Sequence, residues 1–554
     1  MFFKEPIENP PCKLTCPAGI DVPRYIRAIA KRDFNEALAV IRESIPFPSV
    51  CGRICFHPCE SVCRGNLLDG GPIAINALKR FVSEGPTAIF KESQPYKSTG
   101  KSIAIIGSGP AGLTAAYYLA RKGHVVIVFE AQSEPGGMMR YGIPDYRLPK
   151  DLLSKEINYI KSMGVEIKTD TKIDSLDNLF KEGYHAVLLA IGAWKSKKLE
   201  IEGEDFAVDC ISFLKDINEG KKVELNKKVV IIGGGNAAVD TARSVLRLGI
   251  NEVIIIYRRS REEMPVNPME VEHALLEGIN IEYLATPLRI SKVNERLKVD
   301  CIHMTLRGVD EKGRRIPVPI PGTNFSIEAD MVISAIGQMP DIISGEFGVW
   351  TNDDGLILVK ANTLAIERPG VFAGGDAVTG PASVIEAIAA GKKAAASIDR
   401  HLGGNGNIFK SFIPTSTEIL QIELQGFPIG DHAAMPTLPL EERIRGFSPV
   451  ELGFDEEIAV KEAGRCLRCD LPIIVAPEKC VGCLTCMLRC SLRHDHGYMF
   501  SPRASKIKVT PIIENVNEIL FDGECDTCGI CARYCPYGAI FRRIECRRSS
   551  NRVE

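Results

Sequence analysis

At 554 residues the chain exceeds what one hydrophobic core serves, so three or four domains are expected. With 45% hydrophobic and 25% charged residues and a formal net charge of −2, the composition is that of a globular protein and excludes a nucleic-acid binder built on excess positive charge. No apolar run reaches membrane-spanning length, and the opening MFFKEPIENPPC lacks the apolar core of a secretion signal, which predicts a cytoplasmic protein without a membrane span. The one biased stretch is a basic tail, Arg542, Arg543, Arg547, Arg548 and Arg552, read as a solvated terminus.

Cysteine usage departs from that ordinary composition. Sixteen of the 19 cysteines fall in three groups, and Cys210, Cys301 and Cys546 stand apart. In a chain with no secretion signal thiols stay reduced, so clustered cysteines point to metal. Residues 1–98 hold Cys12-x3-Cys16-Pro17 and Cys51-x3-Cys55-x3-Cys59-x3-Cys63. Between them Val22 to Glu43 reads as an amphipathic helical stretch. Gly52 and Pro58 argue against a continuous helix through the second run. A small helical domain folded around thiolates is expected, holding iron–sulfur, with zinc as the alternative.

Ser102 to Glu130 follows the order strand, Gly107-x-Gly109-x-x-Gly112, helix, strand, acid. Gly107 permits the tight turn, Gly109 lets the backbone approach a pyrophosphate, and Gly112 lets the helix pack on the strand. The helix N-terminus offers free N–H groups to the phosphates. Glu130, 18 residues past Gly112, can accept from a ribose hydroxyl. Gly136-Gly137-Met138-Met139-Arg140-Tyr141-Gly142 and Arg147-Leu148-Pro149-Lys150 follow. No CxxxxC pair occurs here, which argues against disulfide-reductase chemistry. His185 to Gly192 reads as a buried strand ending in glycine.

Val229 to Ile232 leads into Gly233-Gly234-Gly235-Asn236-Ala237-Ala238, the G-x-G-x-x-A form of the same turn. Gly233, Gly235, Asn236 and Ala238 are its candidate binding positions. The next strand ends in Arg258-Arg259 rather than an acid. Guanidinium groups there suit a 2′-phosphate, so NADP(H) is read over NAD(H), with surface capping of a strand as the competing view. The chain returns through Ala329 to Gly337 and Val371-Phe-Ala-Gly374-Gly375-Asp376, then a helix from Ala382 to His401. Glu270, Glu272 and His273 read as structural or cofactor-adjacent.

The stretches from 101 to 401, with the N-terminal cysteines, resemble the two-dinucleotide-domain flavoproteins of the glutamate synthase small (β) subunit family. The resemblance covers about residues 11–470. It implies FAD in the first site and NAD(P)H in the second. It also implies that Gly375 and Asp376 lie near the flavin ribityl or pyrophosphate, and that the segment 140–150, with Gly137, Arg140 and Arg147, lies along the flavin. Members of that family carry R-C-x-x-C just before P-x-C-x-x-x-C-P. Here Arg465-Cys466-Leu467-Arg468-Cys469 comes after the flavin domain, and it is expected to fold back. The family pattern then implies one [4Fe–4S] cluster on Cys12, Cys63, Cys466 and Cys469, and a second on Cys16, Cys55 and Cys59. The second cluster's fourth ligand stays open: relatives use Gln or Glu where Lys79 falls, and Cys51 is the substitute. A non-metal CxxC turn is the alternative at Cys466 and Cys469.

Cys480-x2-Cys483-x2-Cys486-x3-Cys490 and Cys525-x2-Cys528-x2-Cys531-x3-Cys535-Pro536 mark a two-cluster ferredoxin of bacterial type. In such a pair the fourth cysteine of each run serves the other cluster. That gives Cys480, Cys483, Cys486 and Cys535 for one cluster and Cys525, Cys528, Cys531 and Cys490 for the other. The segment from Cys490 to Gly497 resembles electron-transfer subunits attached to molybdenum or tungsten oxidoreductases and hydrogenases. His494 and His496 read as non-ligands and Cys546 as free.

The expected architecture is α/β. A helical iron–sulfur domain (1–98) precedes an FAD-binding Rossmann-like domain (99–227 and 330–405) with an NAD(P)H-binding Rossmann-like domain (228–329) inserted in it. A linker (406–475) carries the R-C-x-x-C segment, a ferredoxin domain spans 476–546, and a tail spans 547–554. The expected function is an anaerobic electron-transfer subunit. It passes hydride between NADPH and FAD, and single electrons through four [4Fe–4S] clusters, with no side-chain acid or base required. Its partner would be a redox subunit (a molybdenum or tungsten oxidoreductase, a hydrogenase or a synthase large subunit) or ferredoxin, in a hetero-oligomer. The alternatives are a self-contained NADPH:ferredoxin oxidoreductase, with or without electron bifurcation, a glutamate synthase small subunit, and a non-catalytic iron–sulfur scaffold.

Overall fold

The computed structural model describes residues 2–4, 10–67, 70–85, 97–223, 227–310, 313–342, 348–408, 431–471, 473–494, 501–513 and 516–542. His496, Cys546 and the tail beyond 542 lie outside the described residues.

The N-terminal unit is helical, with helices Val22–Ala30, Phe34–Ser44, Pro48–Ile54 and Ile75–Glu84 at its centre. The stretch expected as one amphipathic helix is two. Arg32 takes a left-handed φ of 61°, and the Asp33 carboxylate caps the second helix by accepting from the Glu36 N–H at 3.0 Å. The run of cysteines is interrupted as expected: Pro48–Ile54 ends before Cys55, and a separate turn, Pro58–Ser61, begins after it.

Two parallel five-stranded sheets follow. The first has the order Val371–Ala373, Ala186–Leu189, Ser102–Ile106, Val125–Phe129, Glu166–Lys168. The second has the order Asn280–Tyr283, Glu252–Tyr257, Lys228–Ile232, Met331–Ser334, Ala207–Asp209. An antiparallel meander, Ala285–Val293, Arg296–Val309 and Arg315–Ala329, extends from the second. The second sheet is thus wider than the span 228–329. Met331–Ser334, placed above with the returning first domain, pairs with Lys228–Ile232, and Ala207–Asp209 joins before the glycine turn. Both returning runs end in Ala-Ile-Gly, at 190–192 and 335–337, so the local pattern could not say which sheet each closes. The antiparallel pair Lys195–Ser196 and Gln338–Met339 links the two units.

The C-terminal unit has helix Thr485–His494, the hairpin Ile507–Ile513 with Val516–Phe521, and a short helix Ile530–Arg533. Its second sheet is antiparallel, with Ile473–Val475 between Ile540–Arg542 and the N-terminal strand Phe2–Lys4. Residues 431–471 lie on the N-terminal unit. Helix Glu456–Gly464 packs on Val22–Ala30, and the Arg27 guanidinium donates to Asp470 at 2.7 Å.

A buried ionic cluster holds the second sheet's helices and ties that unit to the first. Glu277 accepts from Arg243 at 2.6 and 2.9 Å and from Arg247 at 2.8 and 3.0 Å. Arg243 also reaches Glu270, and Arg147 of the first unit pairs with Asp240 at 2.8 Å. Burial works against the charged Glu277 carboxylate, but hydrogen bonds and charge from both arginines prevail and hold its pKa at about 2. Its contribution to stability is therefore complete above the ordinary carboxyl value of 4.5 and is lost as pH falls toward about 2. Glu277→Ala leaves two buried guanidinium groups short of a partner, and denaturant unfolding should show a loss of about 3–5 kcal/mol near neutral pH. An unchanged midpoint would mean the pair is dispensable.

Candidate functional site

Both glycine turns open into one cleft of about 1980 Å³. Each is built the same way. Gly107 has φ 101°, and a Cβ on it would stand 2.3 Å from the Ala190 carbonyl oxygen. Gly233 has φ 139°, and its Cβ would stand 2.2 Å from the Ala335 carbonyl oxygen. Neither position tolerates a side chain. A Cβ on Gly112 would lie 2.1 Å from the Gly107 carbonyl oxygen, which is how helix Pro110–Arg121 gets close to its strand. At the corresponding place in the second turn, Ala238 is fully buried. Gly109 and Gly235 differ in kind: a Cβ on either meets nothing within 4 Å. They leave bare backbone at the N-termini of two 12-residue helices, facing the cleft, where a pyrophosphate fits.

The side chains expected at the cleft divide. Glu130, Gly137, Arg147, Gly375, Asp376, Asn236, Arg258 and Arg259 line it. The Glu130 carboxylate already accepts from the Ser108 N–H at 3.0 Å, from the Ser108 hydroxyl and from the Gln132 N–H at 2.8 Å. It shapes the turn as well as facing the cleft. Burial pushes the Asp376 carboxyl up to about 7, against a backbone N–H from Ala382 and with help from the nearby Glu386. The buried Asn236 Oδ1 has no donor within the described protein, so a bound group can supply one.

Of the two arginines expected along the flavin, one stands away from the cleft and the other lines it while ion-paired. Arg140 does not line the cleft; it donates to the Pro135 carbonyl at 2.7 Å and the Ser154 hydroxyl at 2.9 Å. Arg147 is committed to Asp240 across the two units. Arg258 is exposed in the cleft. Partial burial first, then the adjacent Arg259, lowers its pKa, while Asp310 pairs with Arg259 at 3.4 Å and with Arg314 at 3.2 Å. Arg259 is partly occupied, donating to the Arg315 carbonyl at 2.8 Å. Arg314 lies on the turn between two meander strands; nothing in the local motif pointed to it, because the fold alone brings that turn to the cleft.

The thiols converge as three sets and one further pair. Cys12 has Cys466, Cys469, Cys63 and Cys59 around it. Burial first and then these neighbours push its pKa far up: the thiols cannot ionise together unless a cation joins them. Cys16, Cys51, Cys55 and Cys59 surround the buried Lys79. Cys480, Cys483, Cys486 and Cys535 line a small cavity, with Cys486 pushed up to about 12 by burial and then by Cys535. Cys490 faces Cys528 beside Arg493. Among the described residues no three His, Cys, Asp or Glu side chains are drawn tightly enough for a single ion. Backbone N–H groups point at several sulfurs: His57 to Cys55 at 3.3 Å, Gly65 to Cys63 at 3.4 Å, Lys506 to Cys490 at 3.1 Å.

The CxxC turns share one backbone. Gly482, Thr527 and Arg468, each the residue before the second cysteine, all have positive φ, 70°, 55° and 51°. Leu484 and Gly529, just after it, repeat the sign at 58° and 82°. Arg468 thus puts the displaced CxxC in the conformation of the two ferredoxin loops. Arg465 anchors that segment by donating to the carbonyls of Gly70 at 2.6 Å, Gly71 at 2.9 Å and Pro72 at 3.2 Å. Glu462 accepts from the Ala74 N–H at 2.8 Å.

Comparison with known proteins agrees with this geometry. The model of the pyridine nucleotide-disulphide oxidoreductase family matches residues 101–391. The model of dihydropyrimidine dehydrogenase domain II, 4Fe-4S cluster, matches residues 7–88, and that of the 4Fe-4S binding domain matches 520–541. The chain is 40% identical over 504 residues to the NADP(+)-dependent formate dehydrogenase subunit beta of Moorella thermoacetica, covering 84% of this chain and 71% of that one. It is 40% identical over 509 residues to the NADPH-Fe(3+) oxidoreductase subunit beta of Geobacter sulfurreducens, covering 83% and 75%. The glutamate synthase [NADPH] small chain of Escherichia coli is 32% identical over 419 residues, covering 70% and 88%. No helix among the described residues is long and apolar enough to cross a membrane. The chain belongs to the pyridine nucleotide-disulphide oxidoreductase family, as an FAD- and NAD(P)-binding iron–sulfur oxidoreductase with 4Fe-4S domains at both ends.

Proposed function

We propose that the chain is the NADPH-handling electron-transfer subunit of a larger cytoplasmic redox enzyme, exchanging single electrons with a partner subunit. What carries this reading is the line in which the sites lie. Thr15, Pro17, Ile54 and Phe56, the neighbours of Cys16 and Cys55, form part of the dinucleotide cleft wall. Tyr25, fully buried, has Cys59 and Cys16 of one thiol set and Cys12 of the other around it. The set of Cys12 then meets the ferredoxin unit. Arg533 donates to the Arg465 carbonyl at 2.8 Å, and Arg64 donates to the Asp526 carbonyl at 2.7 Å. The line ends at Cys483, the only exposed cysteine among those described. Four [4Fe–4S] clusters fit this order, the first with Cys16, Cys55 and Cys59, the second with Cys12, Cys63, Cys466 and Cys469, and two more on the ferredoxin cysteines.

When bound, flavin takes the electron pair of a hydride and clusters carry electrons singly, which joins nicotinamide chemistry to one-electron chemistry. The chain's own contribution is placement. Gly109 and Gly235 admit the two pyrophosphates, and Asn236 offers an acceptor. Arg258, with Arg259 and Arg314 beside it, supports NADPH over NADH as the nucleotide. The formate dehydrogenase and NADPH-Fe(3+) oxidoreductase relatives are named as subunits, which supports a hetero-oligomer.

Anaerobically purified protein should carry FAD and about sixteen irons per chain, and NADPH should bleach the flavin faster than NADH. Colourless, iron-poor protein that ignores both nucleotides sinks the proposal, and turnover with free ferredoxin alone would replace it by a self-contained oxidoreductase. Arg258→Ala should weaken NADPH by about ten-fold or more in KM while leaving NADH unchanged. Gly109→Ala should fold with normal stability yet lose FAD, because its Cβ meets nothing but the cleft, whereas Gly107→Ala should lower the melting temperature itself. Equal flavin content in wild type and Gly109→Ala would refute the cradle. The double variant Cys466→Ser, Cys469→Ser should lose about a quarter of the iron and keep the ferredoxin signals; full iron content would return this CxxC to a plain turn.

A further inference from the structure

Helix Pro48–Ile54 and helix Ile75–Glu84 touch at Gly52. A Cβ there would stand 2.7 Å from the Arg80 Cα and 3.0 Å from its backbone nitrogen, so the approach requires glycine. The residue before each contact point is thereby carried inward. Cys51 is 1% exposed and Lys79 is 5% exposed. The Lys79 side chain faces Cys55, Cys51, Cys59 and Cys16, and Cys51 in turn faces Lys79, Cys55 and Cys16. An ammonium has no lone pair to give a metal. This set has both a fourth sulfur and a buried lysine.

We infer that Cys51 is the fourth ligand of the cluster on Cys16, Cys55 and Cys59, and that the Lys79 ammonium is that cluster's buried counter-ion. The inference rests on the iron–sulfur reading of the N-terminal unit given above. Four thiolates leave a cluster with net negative charge, and reduction adds one more. In a dry interior a neighbouring cation stabilises both states and the reduced one more. Lys79 therefore raises the reduction potential of this cluster, the one whose ligands border the dinucleotide cleft. Lys79 is a positioning residue for charge, not a catalytic one.

The test is an iron count with an EPR-monitored redox titration of the full-length protein, purified without air. Lys79→Met should keep iron and flavin and move the midpoint of a single cluster signal to more negative potential. Lys79→Arg should return it toward the wild-type value. Cys51→Ser should lose about a quarter of the iron, with flavin and the ferredoxin signals retained. Unchanged midpoints in Lys79→Met, or loss of iron from it, overturn the counter-ion. A Cys51→Ser protein with full iron and an unaltered spectrum overturns the ligand. Failure of the parent reading looks different: the wild type itself would hold only the iron that its C-terminal cysteines account for.

Discussion

Thiolates crowded into a dry interior repel one another, and only a cation makes the crowding favourable. That constraint organises the molecule. Cys12 and Cys63 come from the first helices, Cys466 and Cys469 from some four hundred residues later, and burial with mutual repulsion makes each set meaningless without something positive between them. The surrounding hydrogen bonds serve this closure. Arg465 spans three consecutive carbonyls at 70–72, and Glu462 takes the N–H of Ala74. The same stretch receives Arg533 from the ferredoxin unit, so the contact that completes one thiol set also seats the next. At the other end of the chain Phe2–Lys4 joins the sheet that carries Ile540–Arg542. The two cysteine-rich ends are thus one body, not appendages.

The two dinucleotide units solve one steric problem twice. In each, the first glycine lies on the carbonyl oxygen of an alanine in the returning strand, Ala190 or Ala335, and the middle glycine stays open to the cleft. Besides the short antiparallel pair at 195–196 and 338–339, an ionic network holds the units against each other. Arg147 reaches over to Asp240, and Arg243, Arg247, Glu270 and Glu277 continue the network inward. Buried charges of this kind are kept at a desolvation cost, and here they hold the relation between two cofactor sites. Arg147, expected along the flavin, lines the cleft and also serves that relation.

Motifs whose chemistry is local were legible in the chain. G-x-G-x-x-G between a strand and a helix, and two C-x2-C-x2-C runs, state their backbone and their ligands together. The displaced R-C-x-x-C was legible as a ligand pair, and its turn has the same left-handed residue as the ferredoxin loops at Arg468. Three features were not legible. Arg314 reaches the cleft only because the meander folds over it. Arg140 turns away because Pro135 and Ser154 offer it partners that no motif encodes. The strand Met331–Ser334 belongs with the second sheet, a choice that its Ala-Ile-Gly ending shares with the first.

The sequence by itself determined the two nucleotide turns, the ferredoxin cysteines and the need for a bound cation among the remaining thiols, because each rests on residues within a few positions of one another. The family pattern anticipated which thiols meet, but tertiary structure alone decided which arginines face the cleft and in what order the sites stand. Those outcomes depend on long-range packing: a glycine that lets two helices close on Cys51 and Lys79, and a helix that carries Cys466 back to Cys12. No local pattern records such distances, since they are set by the chain's whole path.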